Sequence, residues 1–447
     1  MATKPSPAPE RLVSLDAYRG FVMLAMASSA FGFMSVLKTR PDVLDAFAGT
    51  RWETAWQVFY RRLCYQFDHV EWTGCGFWDL IQPSFMFMVG VALPFSFSRR
   101  NTEGQSQGKW FAHVLLRSLI LVLLGIFLSS TSTPMTNFTF MNVLTQIGLG
   151  YPVLCLLHNC RYRTLLAVAA LILAAHWGAF YVYEIPESER EAVTQYIKER
   201  KKPEYQEMVA RNELKGLAAH WNMHTNLGAA IDRRLLNLFP RNEEPWRDQA
   251  FWINDGGYQT INFIPSLVTM IFGLMAGKLL RGPSTPGRNV LTLLAWGAIC
   301  FVLAMAADTT IWPVQFEGLQ WSLCPAVKRI WTPTWTIFST GWCFVLLAAF
   351  YGIIDVRGWK RWAWPMVVVG MNSIAMYVMA QTMKTWAGKM FVTHARAFDA
   401  MFHRTHIAAV LTDEHHWSAP ILMRVVEVTL LWLICVWLYR RKIFIRV

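Results

Sequence analysis

The stretch WTIFSTGWCFVLLAAFYGII (Trp335–Ile354) decides the fold class. It runs for twenty residues without one charged side chain, and a helix needs about 20 apolar residues to cross a bilayer core. LLRSLILVLLGIFL (Leu115–Leu128) repeats the pattern with a single arginine. Outward from these two, the same hydropathy predicts ten spans, at 16–36, 78–98, 112–130, 139–158, 165–183, 260–280, 290–308, 334–354, 365–383 and 420–438. The composition agrees. The chain of 447 residues is 54% hydrophobic and only 16% charged, where globular domains carry about 25% charge. Since lipid offers no partner for unpaired backbone groups, long apolar spans are helices. The expected fold is therefore an all-α polytopic transmembrane bundle forming a single domain over 1–447, with one larger extramembrane helical loop at about 184–259.

Charge sets the expected orientation. The segments 1–19, 99–111, 159–164, 278–289, 355–364 and 439–447 hold 18 Lys/Arg in 69 residues, against 11 in 110 for 37–76, 131–139, 309–333 and 384–419. Positive residues accumulate on the cytoplasmic side, so both termini are expected in the cytoplasm and the other set outside, as in a bacterial inner membrane. The net charge of +13 is thereby accounted for without nucleic acid, which calls for a basic patch on a polar chain. The opening MATKPSPAPE is polar and proline-rich, so a cleavable signal peptide is not expected. No internal repeat is visible, which removes support for an inverted-repeat transporter. Within the loop, Glu187–Gly216 mixes charges at helical spacing and reads as a solvated helix. His220–Leu236 is less polar and is expected against the membrane surface. Cys64 and Cys75 share an outward-facing segment, where a disulfide is feasible in an oxidising compartment. No His/Cys spacing suits zinc, and no metal is expected.

A few polar residues stand out. His69, just before the second span, has Asp68 and Glu71 nearby. An imidazole can take a proton from a nucleophile and return it, although an interfacial histidine among aromatics fits the position as well. Asp79 lies in the first turn of the second span, where the helix dipole favours a carboxylate cap. Arg117 is placed to snorkel from the third span, and Arg424 and Glu427 are spaced to pair on the last. Asn262 opens the sixth span. Asn372 and Tyr377 sit inside the ninth, where a polar group either lines an interior cavity or glues helices together.

Longer motifs then make the chain recognisable. Arg11-Leu-Val-Ser14-Leu15-Asp16-Ala-Tyr-Arg19-Gly20 resembles the R-x-x-S-L/V-D-x-x-R-G opening of a broad superfamily of membrane acyltransferases. His69-Val-Glu-Trp72-Thr-Gly74 followed by Asp79-Leu-Ile-Gln-Pro83-Ser-Phe85-Met-Phe87-Met-Val-Gly90 resembles a run of the heparan-α-glucosaminide N-acetyltransferase family. Ile231-Asp232-Arg233, Thr260-Ile261-Asn262, Lys328 with Trp331-Thr332, Asp355-Val356-Arg357-Gly358 and Gly370-Met371-Asn372-Ser373 resemble its further motifs in the same order. The resemblance implies a multi-pass enzyme that moves an acetyl group from cytoplasmic acetyl-CoA to an amino sugar or other glycan across the membrane. It implies His69 as the active-site residue, with Asp79, Asn262, Asn372 and Tyr377 as candidate catalytic partners. Arg11, Asp16, Arg19, Lys278, Lys328 and Trp331 are candidates for holding the donor, and Arg99, Arg100 and Arg281 are available for its phosphates. Membrane lipids are the expected surroundings, and a homodimer is left open. The chain departs from the family at Val143-Leu-Thr145-Gln146, where an arginine is replaced by Gln146, and in a longer 37–68 segment. An O-acyl or succinyl transferase of periplasmic glucans and a transporter or flippase without chemistry are the alternative readings.

Overall fold

A computed structural model describes residues 11–39, 41–45, 47–101, 107–311, 321–402, 406–413 and 417–445, with side chains at 97–101 left aside. The elements in order are α1 (Val13–Ser28), α2 (Phe33–Thr39), α3 (Glu53–Gln66), α4 (Ile81–Asn101), α5 (Gln107–Ser130), α6 (Val143–Leu156), α7 (Tyr162–Val182), α8 (Glu187–Arg200), α9 (Pro203–Arg211), α10 (Leu227–Leu236), α11 (Phe263–Arg281), α12 (Pro286–Ala307), α13 (Pro333–Phe350), α14 (Trp364–Gly370), α15 (Ser373–Thr382), α16 (Lys384–Phe402), α17 (Ile407–Thr412) and α18 (Ala419–Arg440). Isolated β-bridges are the only extended pairing among the described residues. The chain is an integral multi-pass membrane protein whose described residues form helices joined by loops, with no strand among them.

Each of the ten predicted spans falls on helix, but not all are full crossings. Eight are long and apolar enough to span: Val13–Thr39, Phe77–Ser96, Gln107–Ser130, Tyr162–Val182, Thr260–Arg281, Pro286–Ala307, Pro333–Val356 and Ala419–Arg440. The 365–383 stretch is instead a pair of helices bent by 70°. Asn372 leaves the helical region there (φ −128°, ψ 40°). The 139–158 stretch keeps only α6, because the Asn142 side chain accepts from the Thr145 amide and starts the helix at Val143. Fourteen residues reach roughly 21 Å at 1.5 Å per residue, short of the ~30 Å core.

Close backbone packing holds the centre. A Cβ on Gly90 would stand 2.0 Å from the Met270 carbonyl, and one on Gly273 would stand 2.0 Å from that of Phe87. The pair Gly273 and Gly277 has the small-xxx-small spacing that lets membrane helices touch, so α4 and α11 meet backbone to backbone. Gly20 and Gly370 bring α1 and α14 together in the same way, a Cβ on Gly370 falling 1.8 Å from the Asp16 carbonyl.

Contacts also sort the loops onto two ends. Asp355 accepts from the backbone amides of Val13 and Ser14 at 3.1 Å each. Lys278 donates to the Cys160 carbonyl at 2.6 Å and Arg281 to that of Pro94 at 2.9 Å. Asn372 binds Ile443 and Ile445. These are the segments richest in lysine and arginine. At the other end α9 and α10 meet the His69 loop and the turns before α13, and α8 packs against Trp246 and Trp252. Within His220–Leu236, Trp221 is buried against Trp72, Phe180 and Val327 in that cap.

Candidate active site

Asp79 sits where the second span begins. The turn Phe77–Leu80 starts at Gly76, whose amide donates to Asp79 Oδ2 at 3.0 Å, and the Val70 amide adds a second bond to it at 3.3 Å. This cap fixes the carboxylate and frees its other oxygen. His69 Nδ1 lies 2.7 Å from Oδ1, and Lys328 Nζ lies 3.1 Å from the same oxygen and 3.0 Å from Nδ1. The Asp79 side chain is fully buried and that of Lys328 is 4% exposed, whereas the imidazole is 41% exposed. An ionised carboxylate can accept from both groups, and in the tautomer that donates from Nδ1 to Asp79 the Nε2 atom keeps its lone pair. The cluster is a base pointing outward, backed by a buried ion pair.

The loop carrying His69 is tied down at several points. Trp72 is fully buried and its indole donates to the Trp221 carbonyl at 3.0 Å. The Gly74 amide donates to the Ala326 carbonyl at 3.0 Å. Glu71 takes two bonds from Arg211, at 2.6 and 2.7 Å, and one from Asn212 at 2.9 Å. Those bonds hold its carboxyl below its ordinary pKa although burial acts the other way. Arg329 donates to the Val70 carbonyl at 3.2 Å and to that of Gly256 at 2.7 Å.

A cavity of about 590 Å³ opens beside the cluster. His69, Asp68, Lys328, Gln82, Tyr258 and Lys38 give it a polar side, and Met23, Met26, Met34, Phe67, Phe85 and Val143 an apolar one. Part of its wall is the turn between α1 and α2, where Ser29, Ala30, Phe31 and Gly32 all have positive φ, and the Lys384 ammonium caps that turn through Ala27 O and Ser29 Oγ. Gln146, in the place of the missing arginine, accepts from Gln82 at 3.2 Å and so reaches the cavity wall.

The remaining candidates fall in different places. Tyr377 lines the cavity. Asn262 does not: it is buried and donates to the Arg329 carbonyl at 2.8 Å, bracing the turn that presents Lys328. Trp331 closes that turn in the left-handed conformation (φ 49°) and is buried in the core. Asn372 anchors the C-terminal segment at the far end. Arg11 and Arg19 both pair with Asp16, at 2.6 and 3.8 Å, and Lys278 and Arg281 brace loops at that same end. The side chains of Arg99 and Arg100 lie outside the described residues. Arg117 donates to the Tyr151 hydroxyl at 3.0 Å, and Arg424 to Glu427 at 2.7 Å. Cys64 and Cys75 are free thiols. Cys64 packs with Tyr60 and Val36, while Cys75 faces the main core, so the feasible disulfide is not formed.

Tyr258 joins the site without having stood out in the sequence, and Arg329 stands out only as part of the stretch Cys324–Thr334, with no role of its own. Tyr258 follows two glycines in a stretch that reads as linker, and Arg329 is adjacent to a better candidate.

The chain is similar to curated relatives along most of its length. It is 22% identical over 472 residues to heparan-α-glucosaminide N-acetyltransferase of Homo sapiens, covering 98% of this chain and 60% of that protein. It is 23% identical over 400 residues to the enzyme of the same name from Mus musculus, covering 85% of this chain and 56% of the relative. The chain thus spans a little under two thirds of the length of the relatives it matches. No family model matches it. The resemblance read from the ordered motifs accordingly extends along nearly the whole chain.

Proposed function

We propose that this protein is a transmembrane acyltransferase, moving an acetyl group from cytoplasmic acetyl-CoA to an amino sugar or related glycan on the opposite face. The observation that carries the reading is the geometry of His69 and Lys328 at the wall of a large cavity, with the buried Asp79 carboxylate bonded to both. Asp79 holds the imidazole with Nε2 available, so an acceptor amine can pass a proton to Nε2 as its nitrogen attacks the thioester carbonyl. The carbon–nitrogen bond forms, the carbon–sulfur bond breaks, and the thiolate of coenzyme A leaves with the proton that His69 returns. Lys328 gives one hydrogen to Asp79 and has others to offer the oxyanion that develops in the cavity. The same Nε2 is also placed to accept the acyl group itself.

Sidedness rests on the charge count together with the sorting of basic loops to one end of the bundle. Arg11, Arg19, Lys278 and Arg281 at that end are the available partners for the donor's phosphates. The test is acyl transfer from labelled acetyl-CoA to glucosamine by the purified protein in vesicles. Wild type transfers label, and His69→Ala loses at least about a hundredfold. Equal turnover in the two overturns the assignment of His69.

A further inference from the structure

The extramembrane loop contributes one residue to the cavity itself. The turn Asn254–Tyr258 is closed by the Gly257 amide donating to the Asn254 carbonyl at 2.7 Å, and Asn254 Oδ1 accepts from the Tyr258 amide at 3.2 Å. Gly257 has a φ of +71°, and a Cβ there would stand 2.7 Å from the buried Trp72 ring. The Arg329 guanidinium grips the Gly256 carbonyl and sits 5.7 Å from the centre of the Tyr258 ring. The ring packs with the cluster of Met141, Leu236 and Phe251. The result is an aromatic side chain fixed in position at a cavity that His69, Asp68 and Gln82 also line. A rigid aromatic plate beside a carboxylate and an amide matches what a sugar ring offers: an apolar face of C–H groups with hydroxyl and amino groups at its edge.

We propose that Tyr258, supported by Asp68, forms the acceptor subsite, so that the loop rather than the bundle determines which sugar is accepted. Tyr258 stacks on the pyranose face, and the Asp68 carboxylate, which already accepts from the His69 amide at 2.8 Å, takes a hydroxyl or the ammonium group. This rests on the acyltransferase reading.

The experiment compares full-length wild type, Tyr258→Phe and Tyr258→Ala in vesicles with labelled acetyl-CoA and glucosamine. Glucosamine binding without donor is measured in parallel by intrinsic fluorescence. Tyr258→Ala raises the acceptor KM and the glucosamine Kd about tenfold. The acetyl-CoA KM and acceptor-free thioester hydrolysis stay unchanged, and Tyr258→Phe, which keeps the ring, behaves like wild type. An unchanged glucosamine Kd in Tyr258→Ala overturns the subsite, as does a donor KM that rises in step with the acceptor KM. Wild type that binds glucosamine with the Tyr258 dependence but transfers nothing sinks the acyltransferase reading and leaves the subsite standing.

Discussion

Replacing Asp79 by asparagine removes the negative charge that Lys328 and His69 share. Lys328 would remain only 4% exposed beside a neutral amide, and leaving a buried charge unpaired costs about 3–5 kcal/mol. The amide also no longer dictates which ring nitrogen carries the proton. Losing such an orienting carboxylate lowers turnover about ten-thousandfold in the serine-protease case. The second change Lys328→Met, of similar length, removes the stranded charge. Asp79→Asn is therefore expected to melt several degrees below wild type, and the double variant to regain most of that stability with no recovery of transfer. Thermal unfolding followed by tryptophan fluorescence at one scan rate, together with the vesicle assay, reads both effects. A single variant as stable as wild type would show that Lys328 does not depend on this charge. A double variant that transfers acetyl would show that the carboxylate does not orient the ring.

Other changes test the supports of the site. Trp72→Ala empties a fully buried position and deletes the bond to Trp221, costing about 3–5 kcal/mol; limited proteolysis is expected to cut the 67–76 loop faster, and unchanged cleavage would contradict the clamp. Asp232 is buried and its carboxyl accepts from the Thr260 amide at 3.0 Å, with burial raising its pKa from 3.8 to about 7. A folded pKa above the unfolded one means its stabilising effect is complete below about pH 4 and fades as pH rises through about 7. The Tm of Asp232→Asn should therefore lose the part of the wild-type decline between those values, and parallel Tm curves would refute this. Gly273→Ala places a methyl 2.0 Å from the Phe87 carbonyl, forcing α4 and α11 apart; loss of a monodisperse size-exclusion peak is expected, and a normal peak would deny that the crossing is so close.

Trp335–Ile354 and Leu115–Leu128 are legible because length and hydropathy alone determine a span. Asn142 and Asn372 show where that rule stops. A capping amide shortens α6 and a non-helical backbone bends the ninth span, and neither alters hydropathy. Asn372 was also ambiguous between cavity and glue, and its partners, Ile443 and Ile445, lie more than seventy residues away. His69 and Asp79 are ten residues apart and share one motif, so their proximity is readable. Lys328 reaches them only through the fold, from 249 residues beyond Asp79. Tyr258 is hidden by its setting, because a ring behind Gly256–Gly257 looks like loop until Trp72 and Arg329 are seen to fix it.

The central claim is that an acyl group activated on one side of the membrane is handed to an acceptor on the other, and compartmented vesicles measure this directly. With labelled acetyl-CoA confined to the side of the Arg11 and Lys278 end and glucosamine to the side of His69, label is expected to appear in N-acetylglucosamine on the His69 side, and to vanish in His69→Ala. Product formed only when donor and acceptor share one compartment would contradict it.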